Sequence, residues 1–132
     1  MRDIENDVSP ESMARANEAN YVATMSMFAC VYGGEVVDEP DMLWYATGVP
    51  IGFLNGVIRA HLAPEHVDDR IAWAIERGRA RNLPFSWMIA PSARPSGLGD
   101  RLVRRGFVDG GETPAMAVEL AHLPAVWEPL PG

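Results

Sequence analysis

The sequence contains a single cysteine, Cys30. With one thiol no intrachain disulfide can form, which fits a reducing cytoplasm. Cys30 lies within a helical pattern of apolar residues, so we interpret it as a small core residue rather than a nucleophile. The sequence therefore offers neither a disulfide framework nor a cysteine-based catalytic site.

Long apolar runs are also missing. No stretch approaches the ~20 apolar residues that a membrane span requires. The first twelve residues, MRDIENDVSPES, are acidic and lack the basic and apolar regions of a signal peptide. We therefore expect a bacterial-type, cytoplasmic domain with no membrane partner.

Positive charge is scarce, because 11 Lys and Arg stand against 18 Asp and Glu and give a net charge of −7. An acidic field repels nucleic-acid phosphates and anionic membrane surfaces, so we expect no nucleic-acid partner. The remaining composition, 48% hydrophobic and 22% charged, is typical of a soluble globular chain. A length of 132 residues corresponds to about one domain. We assign residues 1–9 to a mobile leader, 10–121 to that domain and 122–132 to a proline-rich tail or linker.

Local patterns predict an α/β (α+β) domain that begins with a helix. Ser9 and Pro10 are a suitable N-cap and first helical residue, and Gly33 and Gly34 end the apolar stripe that follows. An antiparallel hairpin and then a βα crossover come next. The predicted strands cover residues 35–37, 42–47, 51–60, 85–90 and 115–120, and the later helices cover 65–81 and 97–105.

Two stretches have features of a ligand site. Gly52, Asn55 and Gly56 interrupt the second hairpin strand, where glycine usually marks a bulge or a close backbone approach.

The second stretch is the loop between strand 85–90 and the last helix, which carries Ser92, Arg94 and Ser96. Exposed N–H groups and the dipole at a helix N-terminus favour anions, so these residues are candidate ligand contacts. The alternative is that prolines shape a tight loop and Ser96 caps the helix.

The element order and several short motifs resemble the GNAT superfamily of N-acetyltransferases. The likeness extends over residues 14–124 and is to the divergent amino-terminal domain of two-domain bacterial GNAT proteins. It implies a mixed, mostly antiparallel central sheet flanked by helices. The residues that carry it are Phe53, Leu54, Asn55, Gly56, Val57, Pro84, Phe85, Ser86, Trp87, Pro91, Ser92, Arg94, Pro95, Leu98, Leu102, Gly106, Phe107, Pro114, Ala115, Met116, Ala117, Glu119 and Leu120.

The sequence departs from the family where acetyl-CoA would bind. The resemblance implies a Gln/Arg-x-x-Gly-x-Gly/Ala loop after the bulged strand, whose N–H groups hold the cofactor pyrophosphate. Here the loop reads RAHLAPEHVDD from Arg59, and it contains His61, Pro64 and Glu65 but no glycine. Pro64 removes a donor, and acidic residues stand where a pyrophosphate would lie.

The usual general acid, a tyrosine early in the last helix of the fold, is missing as well. Residues 91–107 contain no tyrosine, cysteine or histidine. We therefore assign no catalytic residue.

The leading hypothesis is a GNAT-like domain with a degenerate acetyl-CoA site and a structural or substrate-side role. Its expected partner is a second GNAT domain or a second copy of the chain, and the isolated chain is expected to be inactive. One alternative is an active N-acetyltransferase that uses acetyl-CoA, with Asn55 orienting the amine. Another is a small-molecule binding domain without acyl chemistry. No metal is expected, because His61 and His66 match no zinc-finger or metalloprotease spacing.

Overall fold

The computed structural model describes residues 7–117, 120–122 and 131. Within them lie a four-stranded mixed sheet and three α-helices, in agreement with the predicted α+β class. The strands are β1 (Glu35–Asp38), β2 (Met42–Ala46), β3 (Asn55–Ala60) and β4 (Ser86–Trp87). The helices are α1 (Pro10–Val31), α2 (Val67–Ala80) and α3 (Leu98–Arg104).

The first helix begins where the sequence predicted. The Ser9 hydroxyl accepts a hydrogen bond from the Ser12 amide at 3.3 Å, and Pro10 fills the first turn, where its missing N–H is not needed. After α1, the backbone of Gly34 lies so close to β2 that a Cβ at this position would be 1.8 Å from the Ala46 carbonyl oxygen. The glycine pair therefore ends the helix and lets the chain enter β1.

The sheet has the order β1-β2-β3-β4, with β1 to β3 antiparallel and β4 parallel to β3. This arrangement confirms the predicted hairpin and the crossover through α2. α1 packs on one face of the sheet and α2 and α3 on the other, so β2 is buried on both sides. The largest fully buried side chain is Trp44, which packs edge-to-face against Trp73 and Phe85.

β3 contains a bulge, but not at the predicted glycines, and the strand is shorter than predicted. Residues 51–54 do not join the sheet, because Gly52–Leu54 form a 3-10 turn and β3 begins at Asn55. The bulge lies further along, where Trp44 pairs with Val57 but Leu43 pairs with Arg59. Gly56 instead marks a close approach, since a Cβ there would lie 1.8 Å from the Ser86 carbonyl oxygen.

Three other predicted boundaries are wrong. The strand at 85–90 shrinks to Ser86–Trp87, because the chain leaves β3 after Met88. Helix 65–81 begins only at Val67, since Pro64–His66 form a 3-10 turn. Helix 97–105 is confined to Leu98–Arg104.

Two further interpretations do not hold. In the predicted strand 115–120, residues 115–117 belong to no strand and are exposed; residues 118 and 119 lie outside the described range. Cys30 is exposed, because it lies on the side of α1 that faces away from the sheet. Most of the predicted leader and tail also lies outside the described residues, and both stay predictions.

Candidate functional site

Most of the predicted site residues lie at the carboxyl end of β3. The Met88 amide donates to the Val57 carbonyl at 2.9 Å, and further on the Arg94 amide donates to the Ala60 carbonyl at 3.0 Å. Between these two bonds β3 runs only from Val57 to Ala60, whereas the segment paired with it is longer and runs from Met88 to Arg94. Residues 89–93 therefore bow away from the sheet and form an exposed loop beside α1.

Ser92, at the tip of this loop, binds a carboxylate from α1. Its amide donates to Oε1 of Glu18 at 3.0 Å, and its hydroxyl donates to Oε2 of Glu18 at 2.6 Å. Nε2 of His61 lies 3.1 Å from the same hydroxyl oxygen. The loop thus binds a carboxylate of the protein itself, and the predicted ligand contacts of Ser92 and Arg94 stay a prediction.

The direction of these hydrogen bonds limits the chemistry of the cluster. A carboxylate can only accept, so the single hydroxyl hydrogen of Ser92 points to Glu18. Nε2 of His61 must then carry a hydrogen and donate to the Ser92 oxygen. His61 is consequently not placed to remove the Ser92 proton, and the three residues are not arranged as a nucleophile with its base.

Arg94 lies next to His61 on the same face of the sheet. The two residues form an isolated parallel bridge, in which the Leu62 amide also donates to the Arg94 carbonyl at 3.0 Å. Ala60 and Leu62 point into the core beneath α2 and α3, so alternation directs His61 and Arg94 toward the α1 side. The exposed Arg94 guanidinium has no partner among the described residues. The Arg94 backbone therefore lies beside His61, whose ring contacts Ser92.

Ser96 takes no part in this cluster. Gly97 is the N-cap of α3, in the left-handed conformation at φ +81, and no side chain caps the helix. The expectation that Ser96 caps α3 is wrong, because Gly97 occupies the capping position instead. Of the three predicted loop residues, the structure brings Ser92 and Arg94 to His61 and leaves Ser96 in solvent.

Asn55 lies at the other end of β3 and is fully buried. Its side-chain oxygen accepts from the Thr47 and Gly48 amides at 3.0 and 3.3 Å. Its amide nitrogen donates to three carbonyls, those of Val49, Ile51 and Pro84, at 2.8, 3.1 and 3.2 Å. The geometry gives Asn55 a structural role, joining the loop before β3 to the start of β4.

Three amides of the loop from β3 to α2 donate to carbonyls of the protein, two of them outside the loop and one within it. The amides of His61, Leu62 and His66 donate to the carbonyls of Asp41, Arg94 and Ala63 at 2.8, 3.0 and 2.9 Å. Arg59, at the start of the predicted cofactor loop, pairs with Asp38 at 2.7 Å.

One backbone donor is missing from the turn that precedes α2. Pro64 has no amide hydrogen, and its carbonyl accepts from Arg101 at 3.4 Å. Glu65 is exposed, and Asp68 and Asp69 occupy the first turn of α2.

A shallow cleft of about 300 Å³ separates this first turn from α3. It is lined by Asp68 and by three guanidinium groups, those of Arg101, Arg104 and Arg105. The cleft is the most basic part of the region near the predicted cofactor loop.

Glu18 is the cluster residue that sequence reasoning missed. It lies 74 positions from Ser92, inside a helix whose spacing only indicates which face is apolar. No local pattern relates the two residues, and only the packing of α1 across the sheet brings them together.

Within the described part of the chain, no helix is long and apolar enough to cross a membrane. The same residues contain no group of three or more His, Cys, Asp or Glu that could hold a metal ion. Comparison of the chain with protein-family models, with curated proteins and with solved structures found no match.

Proposed function

We propose that the chain is a GNAT-like domain whose own acetyl-CoA site is degenerate and which has a structural or substrate-side role for an acetyltransferase domain. The partner that this role requires is a second GNAT domain or a second copy of the chain. The element order supports the proposal: a helix, an antiparallel hairpin with a bulged central strand, and a crossover helix leading to a parallel strand.

The observation that carries the proposal is the state of the loop between β3 and α2. In an active member of the superfamily, backbone N–H groups of this loop would hold the cofactor pyrophosphate. Here three of these groups donate to the protein's own carbonyls, and Pro64 has none to give. Each hydrogen bond that the loop cannot give a ligand weakens binding by about 1 kcal/mol.

Charge acts in the same direction. Glu65, Asp68 and Asp69 place three carboxylates at the start of α2, where they counter the attraction of the helix N-terminus for anions. A pyrophosphate would meet like charge at short range, where Coulomb repulsion is largest. Missing donors and misplaced charge together disfavour the cofactor.

An acetyl-transfer assay tests this function. The purified chain is mixed with acetyl-CoA and a panel of amines, from polyamines to peptide N-termini, and free thiol is followed over time. We expect no release above the protein-free rate. Sustained turnover with any amine would contradict a degenerate site.

The cleft of Arg101, Arg104 and Arg105 favours a second candidate, an active N-acetyltransferase. Three guanidinium groups could hold the phosphates of acetyl-CoA even without a glycine-rich loop. In that case the assay gives turnover, and Arg104→Ala, at an exposed position, reduces it. The first candidate predicts that neither chain is active.

A further inference from the structure

We propose that Ser92 is the centre of a binding site for a small molecule bearing a carboxylate or a phosphate, and that Glu18 occupies this site in the free protein. The inference goes beyond the GNAT-like assignment and does not rest on it. It concerns the α1 side of the sheet and shares His61 with the predicted cofactor loop, which leads to α2 on the other side.

The contact with Glu18 shows which chemistry the loop recognises. The amide and the hydroxyl of Ser92 donate to the two oxygens of one carboxylate, at 3.0 and 2.6 Å, and so bind it in a bidentate manner. A phosphate presents the same spacing of acceptor oxygens. Charge-assisted hydrogen bonds of this kind are shorter and stronger than neutral ones, so an oxyanion is the preferred occupant.

One donor, His61, contacts Ser92, and Arg94 follows Ser92 by two residues along the chain. His61 donates to the Ser92 oxygen from Nε2, 3.1 Å away, and so aligns the hydroxyl hydrogen with the anion. Arg94 is the neighbour of His61 in the parallel bridge, and its guanidinium has no partner among the described residues. Glu18 makes no ion pair with Arg94. We expect a ligand with a second negative charge to be attracted by Arg94 in addition to Ser92.

The internal occupant can be exchanged because the contact is solvent-exposed. Exposed contacts to a charged side chain contribute little net free energy, since water solvates both partners when they separate. A free oxyanion therefore competes with Glu18 for Ser92, and its binding releases α1 from the loop.

The test follows the amide resonance of Ser92 by NMR in the full chain, during titration with inorganic phosphate and, separately, with succinate. Glu18→Ala removes the internal competitor. We expect it to bind the better probe about tenfold more tightly than the unchanged chain does. Adding Ser92→Ala to Glu18→Ala should remove most of that gain, and the tighter probe identifies the oxyanion class.

Glu76→Ala is the matched control, because it removes one exposed carboxylate from α2 and leaves the Ser92 loop unchanged. It should bind like the unchanged chain. The proposal is overturned if neither probe moves the Ser92 resonance in Glu18→Ala, if Glu18→Ala gains no affinity, or if Glu76→Ala gains as much. A Glu18→Ala variant that melts earlier and binds neither probe would show that the contact only fastens α1 to the loop.

Discussion

Asn55 shows how one buried amide can organise the surroundings of a strand. Its side chain is fully enclosed and makes five hydrogen bonds, all of them to backbone groups. Those groups belong to the loop before β3 and to Pro84, which precedes β4. The Asn55 side chain therefore holds the loop before β3 and the residue before β4 together by hydrogen bonds to their backbone groups.

Replacing Asn55 with alanine should destabilise the protein by about 2–4 kcal/mol, because a fully buried side chain and its hydrogen bonds to the backbone would be lost together. Urea unfolding measures the change. Asn20→Ala, at an exposed position of α1, is the control and should stay within about 0.5 kcal/mol of the unchanged chain. A loss below about 1 kcal/mol for Asn55→Ala would contradict the structural role.

At the scale of elements, Glu35 fastens β1 to α2. One carboxylate oxygen accepts from Trp44 at 3.1 Å and from Arg77 at 2.9 Å; the other lies 2.8 Å from Arg77 and 2.7 Å from Arg81. Burial alone would raise the pKa of Glu35, but hydrogen bonds and charge from Arg77, then Arg81 and Trp44, hold that pKa below its ordinary value of 4.5.

The lowered pKa predicts how stability depends on pH. The ionised carboxylate stabilises the folded state above pH 4.5, and this contribution is lost as pH falls further, through the lower pKa of the folded state. We expect Glu35→Gln to unfold about 2 kcal/mol more easily at pH 7, because two guanidinium groups lose their partner. The difference should shrink as pH falls below 4.5 and Glu35 becomes protonated in both the unfolded and the folded state.

Urea unfolding of both chains across this pH range measures the effect. Asp38→Asn is the control, since Asp38 is largely exposed in its pair with Arg59 and should contribute within about 0.5 kcal/mol. A Glu35→Gln difference that is independent of pH would show that packing, not charge, holds β1 to α2.

The elements that the sequence predicted well are those defined by neighbours along the chain. α1 has a cap, a proline and a glycine pair at its ends, and β2 has two alternating apolar sets, so both occur close to the predicted bounds. β4 is only two residues long because the chain turns away from β3 after Met88. No local sequence pattern indicates where this separation begins. The Glu18–Ser92 contact depends on packing in the same way.

On the scale of the whole molecule, the sheet is covered by helices on both faces, and the chain has a net charge of −7. In the β3–α2 loop the amides of His61, Leu62 and His66 donate to carbonyls of the protein, and the start of α2 is acidic. Such a charge distribution opposes an anionic cofactor at long range as well as at short range. The arginine cleft beside α3 is the local exception.

The most direct test of the degenerate cofactor site is calorimetric titration of the chain with acetyl-CoA at physiological salt, where long-range repulsion by the acidic chain is largely screened. The account predicts no heat beyond that of dilution throughout the micromolar range. Binding with a micromolar dissociation constant would contradict it and would assign the cofactor to this chain.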